Sequence, residues 1–81
     1  MKKICKKQHR YDRKYEEYPE YQGQVGRHKC PGCAEELALL NKQKGIPASN
    51  DDSVLAELPE SQAGSVRHKD AFFAYKMAYN Q

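Results

Sequence analysis

Apolar side chains are sparse along this chain, and where they recur they do so at helical spacing. The clearest stretch runs from residue 34 to 44: Cys33, Leu37, Leu40 and Lys44 share a stripe, with Ala34 and Ala38 beside it. Glu35 and Glu36 near its start and Lys42 and Lys44 near its end suit the helix dipole, and Gly45 is a stop signal. The spacing predicts a helix over 34–44. A second over 67–80 places His68, Phe72, Tyr75 and Tyr79 on one face, widened by Phe73 and Met77, with Ser65 as the expected cap. These two helices are expected to pack together as the main core.

The remaining pattern is weaker. Ile4, Tyr11, Tyr15 and Tyr18 fall on one face if residues 2–18 are helical, yet no N-cap precedes them and Pro19 disfavours the last turn. A loop holding a single helical turn is the alternative. Pro19, Gly23 and Gly26 make 19–29 a connection, with a short extended piece around 24–28. Residues 54–58 allow two helical turns at most before Pro59. The expected fold is therefore a small, mainly α single domain with minor β structure. Its parts are an arm over 1–14, a hook and helix over 15–44, loops with a short helical turn over 45–66, and a C-terminal helix over 67–80.

Composition changes this picture by exposing a shortfall. With 81 residues, 38% apolar, 31% charged and no Trp, the chain can bury only a thin core and needs another staple. Three cysteines cannot all pair within one chain, which argues against a secreted disulfide framework. No signal-peptide core and no long apolar run is present, so a cytoplasmic protein without membrane attachment is expected.

Reduced thiols in that compartment favour metal. Cys30-Pro-Gly-Cys33 forms a hook that turns both sulfurs toward one point, immediately ahead of the 34–44 helix. Cys5 and His9, four residues apart, form a second half-site. Together Cys5, His9, Cys30 and Cys33 make a Cys3His set suited to tetrahedral Zn2+. His28 or His68 in place of His9 stays open. A redox role for the Cys-x2-Cys pair would call for a βαβ setting, and the pattern offers none.

Charge adds a candidate partner. The first fourteen residues carry seven cationic side chains against Asp12 alone, whereas residues 15–81 carry seven basic and ten acidic ones. A basic arm on a mildly acidic body suits a nucleic acid or an acidic protein. Residues 22–38 also echo 62–78 at an offset of 40, with Arg27-His28-Lys29 repeated as Arg67-His68-Lys69 and Ala34 and Ala38 as Ala74 and Ala78. In the second unit Asp70 and Phe73 stand where the first has its hook cysteines. Each triplet precedes a helix, where N–H groups receive anions, so all six residues are candidate anion or nucleic-acid contacts.

The segment Cys5-Lys-Lys-Gln-His9-Arg-Tyr11 followed by Cys30-Pro-Gly-Cys33-Ala resembles small bacterial and phage-borne zinc-finger-like proteins. That resemblance covers about residues 5–40 and implies zinc ligation by Cys5, His9, Cys30 and Cys33; it implies no activity. The functional expectation is a non-enzymatic zinc-binding module that contacts nucleic acid or a protein partner. One alternative is a compact nuclease or transferase using His28 or His68, with Asp70 as the adjacent carboxylate. Another is a subunit that self-associates through Phe72, Phe73, Tyr75 and Tyr79.

Overall fold

The structure is a computed structural model and describes residues 4–6, 8–20, 29–50, 52–61, 64–66 and 69–80. Two α-helices dominate: α1, Pro31–Lys44, and α2, Ala71–Tyr79. Short 3-10 turns occupy Gln8–Tyr11, Arg13–Glu17, Asp52–Leu55 and Gly64–Val66. Among the described residues there is no named strand, only isolated bridges that join Ile4 and Lys29 to Glu60 and Glu20 to Lys69. The expected short extended piece at 24–28 lies outside the described residues.

Helix α1 starts three residues earlier than the spacing predicts. Cys30 is extended (φ −77°, ψ 117°) and serves as N-cap, and Pro31 takes the first helical position, where its missing N–H costs nothing. Glu35 and Glu36 therefore lie beyond the first turn, and the dipole role expected of them is lost. The helix ends as anticipated: Gly45 is left-handed (φ 77°), and Ile46 N–H reaches back to the Asn41 carbonyl at 2.9 Å. Helix α2 begins at Ala71 rather than 67, because the Asp70 carboxylate accepts the Phe73 N–H at 3.0 Å and caps it. Ser65 instead lies within the 64–66 turn.

The helices pack together, but not on the stripe that periodicity picks out. Leu40 is 45% exposed, while Ala34 and Ala38 are fully buried against Ala71, Ala74, Tyr75 and Ala78, with Leu55 completing the core. Small side chains make up most of this seam, with Tyr75 the one large α2 side chain buried within it. The 2–18 helix is not formed: its region holds two 3-10 turns, and of the expected tyrosine face only Tyr15 is buried, Ile4 and Tyr11 being 64% and 66% exposed. Tyr18 bridges the layers, edge-on to both Tyr15 and Phe73 with centroids 5.2 Å away in each case. The loop after α1 is fastened to α2, with Ser49 N–H donating to the Tyr75 hydroxyl (3.1 Å) and Tyr79 Oη donating to the Ile46 carbonyl (2.6 Å).

The echo at offset 40 is a property of the fold. The helices begin 40 residues apart, and their connections repeat at the same interval. Cys30 N–H bonds the Pro59 carbonyl at 3.0 Å, and Asp70 N–H bonds the Pro19 carbonyl at 2.8 Å. Lys29 pairs with Glu60, and Lys69 pairs with Glu20. Each half thus lays a Pro-Glu strap (Pro19-Glu20, Pro59-Glu60) across the residue preceding the other half's helix. Sequence identity accordingly reaches upstream of residue 22 to Pro19/Pro59 and Glu20/Glu60.

Candidate metal centre

Three elements bring the cysteines and the histidine to one point. Cys5 follows the Ile4–Glu60 bridge and is held by its N–H on the Glu60 carbonyl at 2.9 Å. His9 projects from the 3-10 turn that follows. Cys30 and Cys33 sit at the N-cap and in the first turn of α1, with Ala34 N–H closing on the Cys30 carbonyl at 3.0 Å. That position aims helix N–H groups and the positive end of the dipole toward the sulfurs, which favours thiolate.

The four ligand atoms lie within 4.8 Å of one another. His9 Nδ1 is 3.5 Å from Cys5 Sγ, 3.3 Å from Cys30 Sγ and 3.7 Å from Cys33 Sγ, and Cys33 Sγ lies 3.5 Å from Cys5 Sγ. A tetrahedron with metal–sulfur bonds near 2.3 Å and a metal–nitrogen bond near 2.0 Å has edges of roughly 3.5–3.8 Å. The set is the right size for one ion. Cys30 is fully buried, Cys5 and Cys33 are 7% exposed, and Leu58 packs against their cluster. Cys5, His9, Cys30 and Cys33 can therefore hold a metal ion, with protein atoms at all four corners.

The electrostatics among the thiols follow from this crowding. A hydrogen bond from the Cys33 thiol holds Cys30 down, to about 5, against the opposing effect of burial, and His9 adds to the lowering. The same bond, together with burial, pushes the Cys33 thiol up. A bound cation reverses that preference by favouring thiolate at both positions.

Two residues not singled out by the sequence complete the site. Glu36 Oε1 lies 3.3 Å from His9 Nε2, so with Nδ1 turned to the sulfurs the other ring nitrogen donates to a carboxylate. Such a partner fixes the tautomer and the ring plane. Gly32 lies under the His9 ring, where no Cβ fits. Neither residue carries a one-dimensional signal, because Glu36 is 27 positions from His9 and a glycine in a Cys-Pro-Gly-Cys turn is accounted for locally. Replacing Glu36 with Ala is expected to weaken metal affinity about tenfold, the usual scale for a lost outer-shell partner. Competition with a chromophoric chelator checks this, and unchanged affinity would show the carboxylate to be a bystander.

Of the residues proposed for anion contact, Lys29 and Lys69 are described. Lys29 Nζ donates to the carbonyls of Ala56 (3.2 Å) and Leu58 (3.0 Å). Lys69 Nζ donates to the Glu16 carbonyl at 2.9 Å and lies 4.0 Å from Glu20 Oε1. Both ammonium groups thus bind backbone of the opposite half. Arg27, His28, Arg67 and His68 lie outside the described residues. In the basic arm Lys14 pairs with Glu35 at 2.6 Å, which raises its pKa, while Lys2, Lys3 and Lys7 also lie outside the described residues.

Fold and site together define a small α-helical domain built around a Cys3His cluster able to hold a metal ion. No protein-family profile matches the chain, and neither a curated protein nor a solved structure is detectably similar to it. No helix among the described residues is long and apolar enough to cross a membrane.

Proposed function

We propose that the chain is a non-enzymatic zinc module in which Cys5, His9, Cys30 and Cys33 hold one Zn2+ as a structural centre, and that the domain so organised contacts nucleic acid. The observation that carries the metal reading is the convergence of four buried or half-buried ligand atoms within 4.8 Å. Three thiolates and one imidazole in a tetrahedral frame suit Zn2+ better than magnesium or calcium, which prefer oxygen donors at higher coordination number. A dithiol redox site needs two sulfurs, and here a third sulfur and an imidazole converge on the same point. Four protein ligands leave no corner for substrate, which separates this centre from a catalytic zinc.

Asp70, the carboxylate named for the enzymatic alternative, caps α2 by accepting the Phe73 N–H, and His28 and His68 lie outside the described residues. The face proposed for self-association is largely used within the chain, Tyr75 being buried and Phe72 and Tyr79 packed against the core. Contact with a polyanion is supported by the charge of residues 1–14. Elemental analysis of purified protein tests the metal reading: one zinc per chain is expected, and a zinc-free folded protein would refute it. Titration with duplex DNA tests the partner. Affinity is expected to fall with salt at a log–log slope of about −0.9 per phosphate contacted, and no binding at low salt would reject nucleic acid.

A further inference from the structure

The Pro59-Glu60 strap runs between the two half-sites of the metal. Cys5 N–H bonds the Glu60 carbonyl at 2.9 Å and Cys30 N–H bonds the Pro59 carbonyl at 3.0 Å, so two ligand-bearing segments hang from consecutive peptide groups. Both neighbours of those cysteines, Ile4 and Lys29, bridge to Glu60. The strap itself is anchored by Lys29, whose ammonium group grips the carbonyls of Ala56 and Leu58, and Leu58 packs against the cysteine cluster. The related strap, Pro19-Glu20, is held by Asp70 N–H and Lys69, neither of which is one of the four ligands.

Resting on the zinc reading above, we infer that Pro59-Glu60 is a jig that sets the spacing of Cys5 and Cys30, and that Lys29 is a positioning residue for the metal although it is not a ligand. The second half of the chain is thereby latched to the first by the ion. Linkage is reciprocal: whatever the docked strap adds to metal affinity, the metal adds to docking of the strap. The related latch at Lys69 supports the fold without touching the centre. The pseudo-symmetric arrangement provides its own control, because loss of either lysine removes contacts of the same kind.

The experiment compares Lys29→Met with Lys69→Met, each expressed as the full chain and loaded with zinc. Chelator competition is expected to show an affinity loss of about tenfold for Lys29→Met, as for other outer-shell partners, and less than about threefold for Lys69→Met. Amide exchange on the zinc-loaded proteins provides a second readout. Cys5 and Cys30 are expected to exchange faster in Lys29→Met with Asp70 unchanged, and the reverse is expected in Lys69→Met. Equal affinity losses in the two variants would reduce Lys29 to a general stability contact and overturn the inference, as would wild-type affinity in Lys29→Met. A wild-type chain that takes up no zinc overturns the zinc reading and this inference together.

Discussion

Removal of zinc by a strong chelator is expected to unfold the domain, with loss of amide chemical-shift dispersion and of most helical circular dichroism. The magnitude follows from the composition of the core. Five of the seven residues in the helix–helix cluster are alanines, and the large fully buried side chains there are Leu55 and Tyr75. Fully burying one large aliphatic or aromatic side chain contributes only about 1.5–3 kcal/mol. A structural zinc contributes an apparent ~10–16 kcal/mol, which matches or exceeds the ~5–15 kcal/mol net stability of ordinary domains. Without the ion the ledger has no comparable term to replace it.

Acid is expected to release the metal by the same route. Zinc uptake near neutral pH displaces the proton held on Cys33, whose pKa is raised, so affinity falls as pH falls. Cys30 must also stay deprotonated to ligate, so acidification is expected to release the ion and unfold the domain. Retention of a dispersed spectrum in a thoroughly metal-stripped sample would show that the Ala-rich core suffices.

The substitution Gly32→Ala is expected to destabilise strongly where helix propensity alone predicts the opposite. Gly32 lies in the first turn of α1, and in an exposed helix interior Gly→Ala stabilises by up to about 1 kcal/mol. Here an added Cβ would lie 2.6 Å from Cδ2 of the His9 ring and nearer still to Cγ and Nδ1. The obstacle is a ring pinned on one side by the sulfurs and on the other by Glu36, so it cannot swing away without leaving the metal. Steric exclusion of a ligand outweighs a propensity gain of that size. The expected result is a zinc affinity at least a hundredfold weaker, together with a Co2+ spectrum altered by loss of the imidazole. In a His9→Ala background the added Cβ meets no ring, so Gly32→Ala should there cost nothing further, and this non-additivity identifies the contact. Full zinc affinity in Gly32→Ala alone would contradict the geometry.

Residue chemistry alone pointed to the four residues that can hold a metal ion, while leaving His28 and His68 open in place of His9. Soft donors at Cys5, His9, Cys30 and Cys33 combine in few ways, and a chain this poor in large apolar residues has few other means of folding. The class of fold and the end of α1 were also legible, because a left-handed glycine after a charged last turn is a local device that requires no distant partner. Boundaries set by competition were not legible. Pro31 and Asp70 decide where the helices begin, each by a hydrogen-bonding preference that outweighs apolar periodicity, so α1 came out longer and α2 shorter than their stripes suggest. The fully buried face went to Ala34 and Ala38, with Leu37 packed partly buried against the same core and Leu40 left 45% exposed. Only the tertiary structure decided the rest: Glu36 behind His9, Gly32 beneath it, and two straps crossing between halves of the chain. These depend on contacts between residues 23 to 56 positions apart, and no local pattern encodes a distance of that kind. The one long-range signal was the echo at offset 40, and it became informative once Lys29 and Lys69 were seen to grip each other's half.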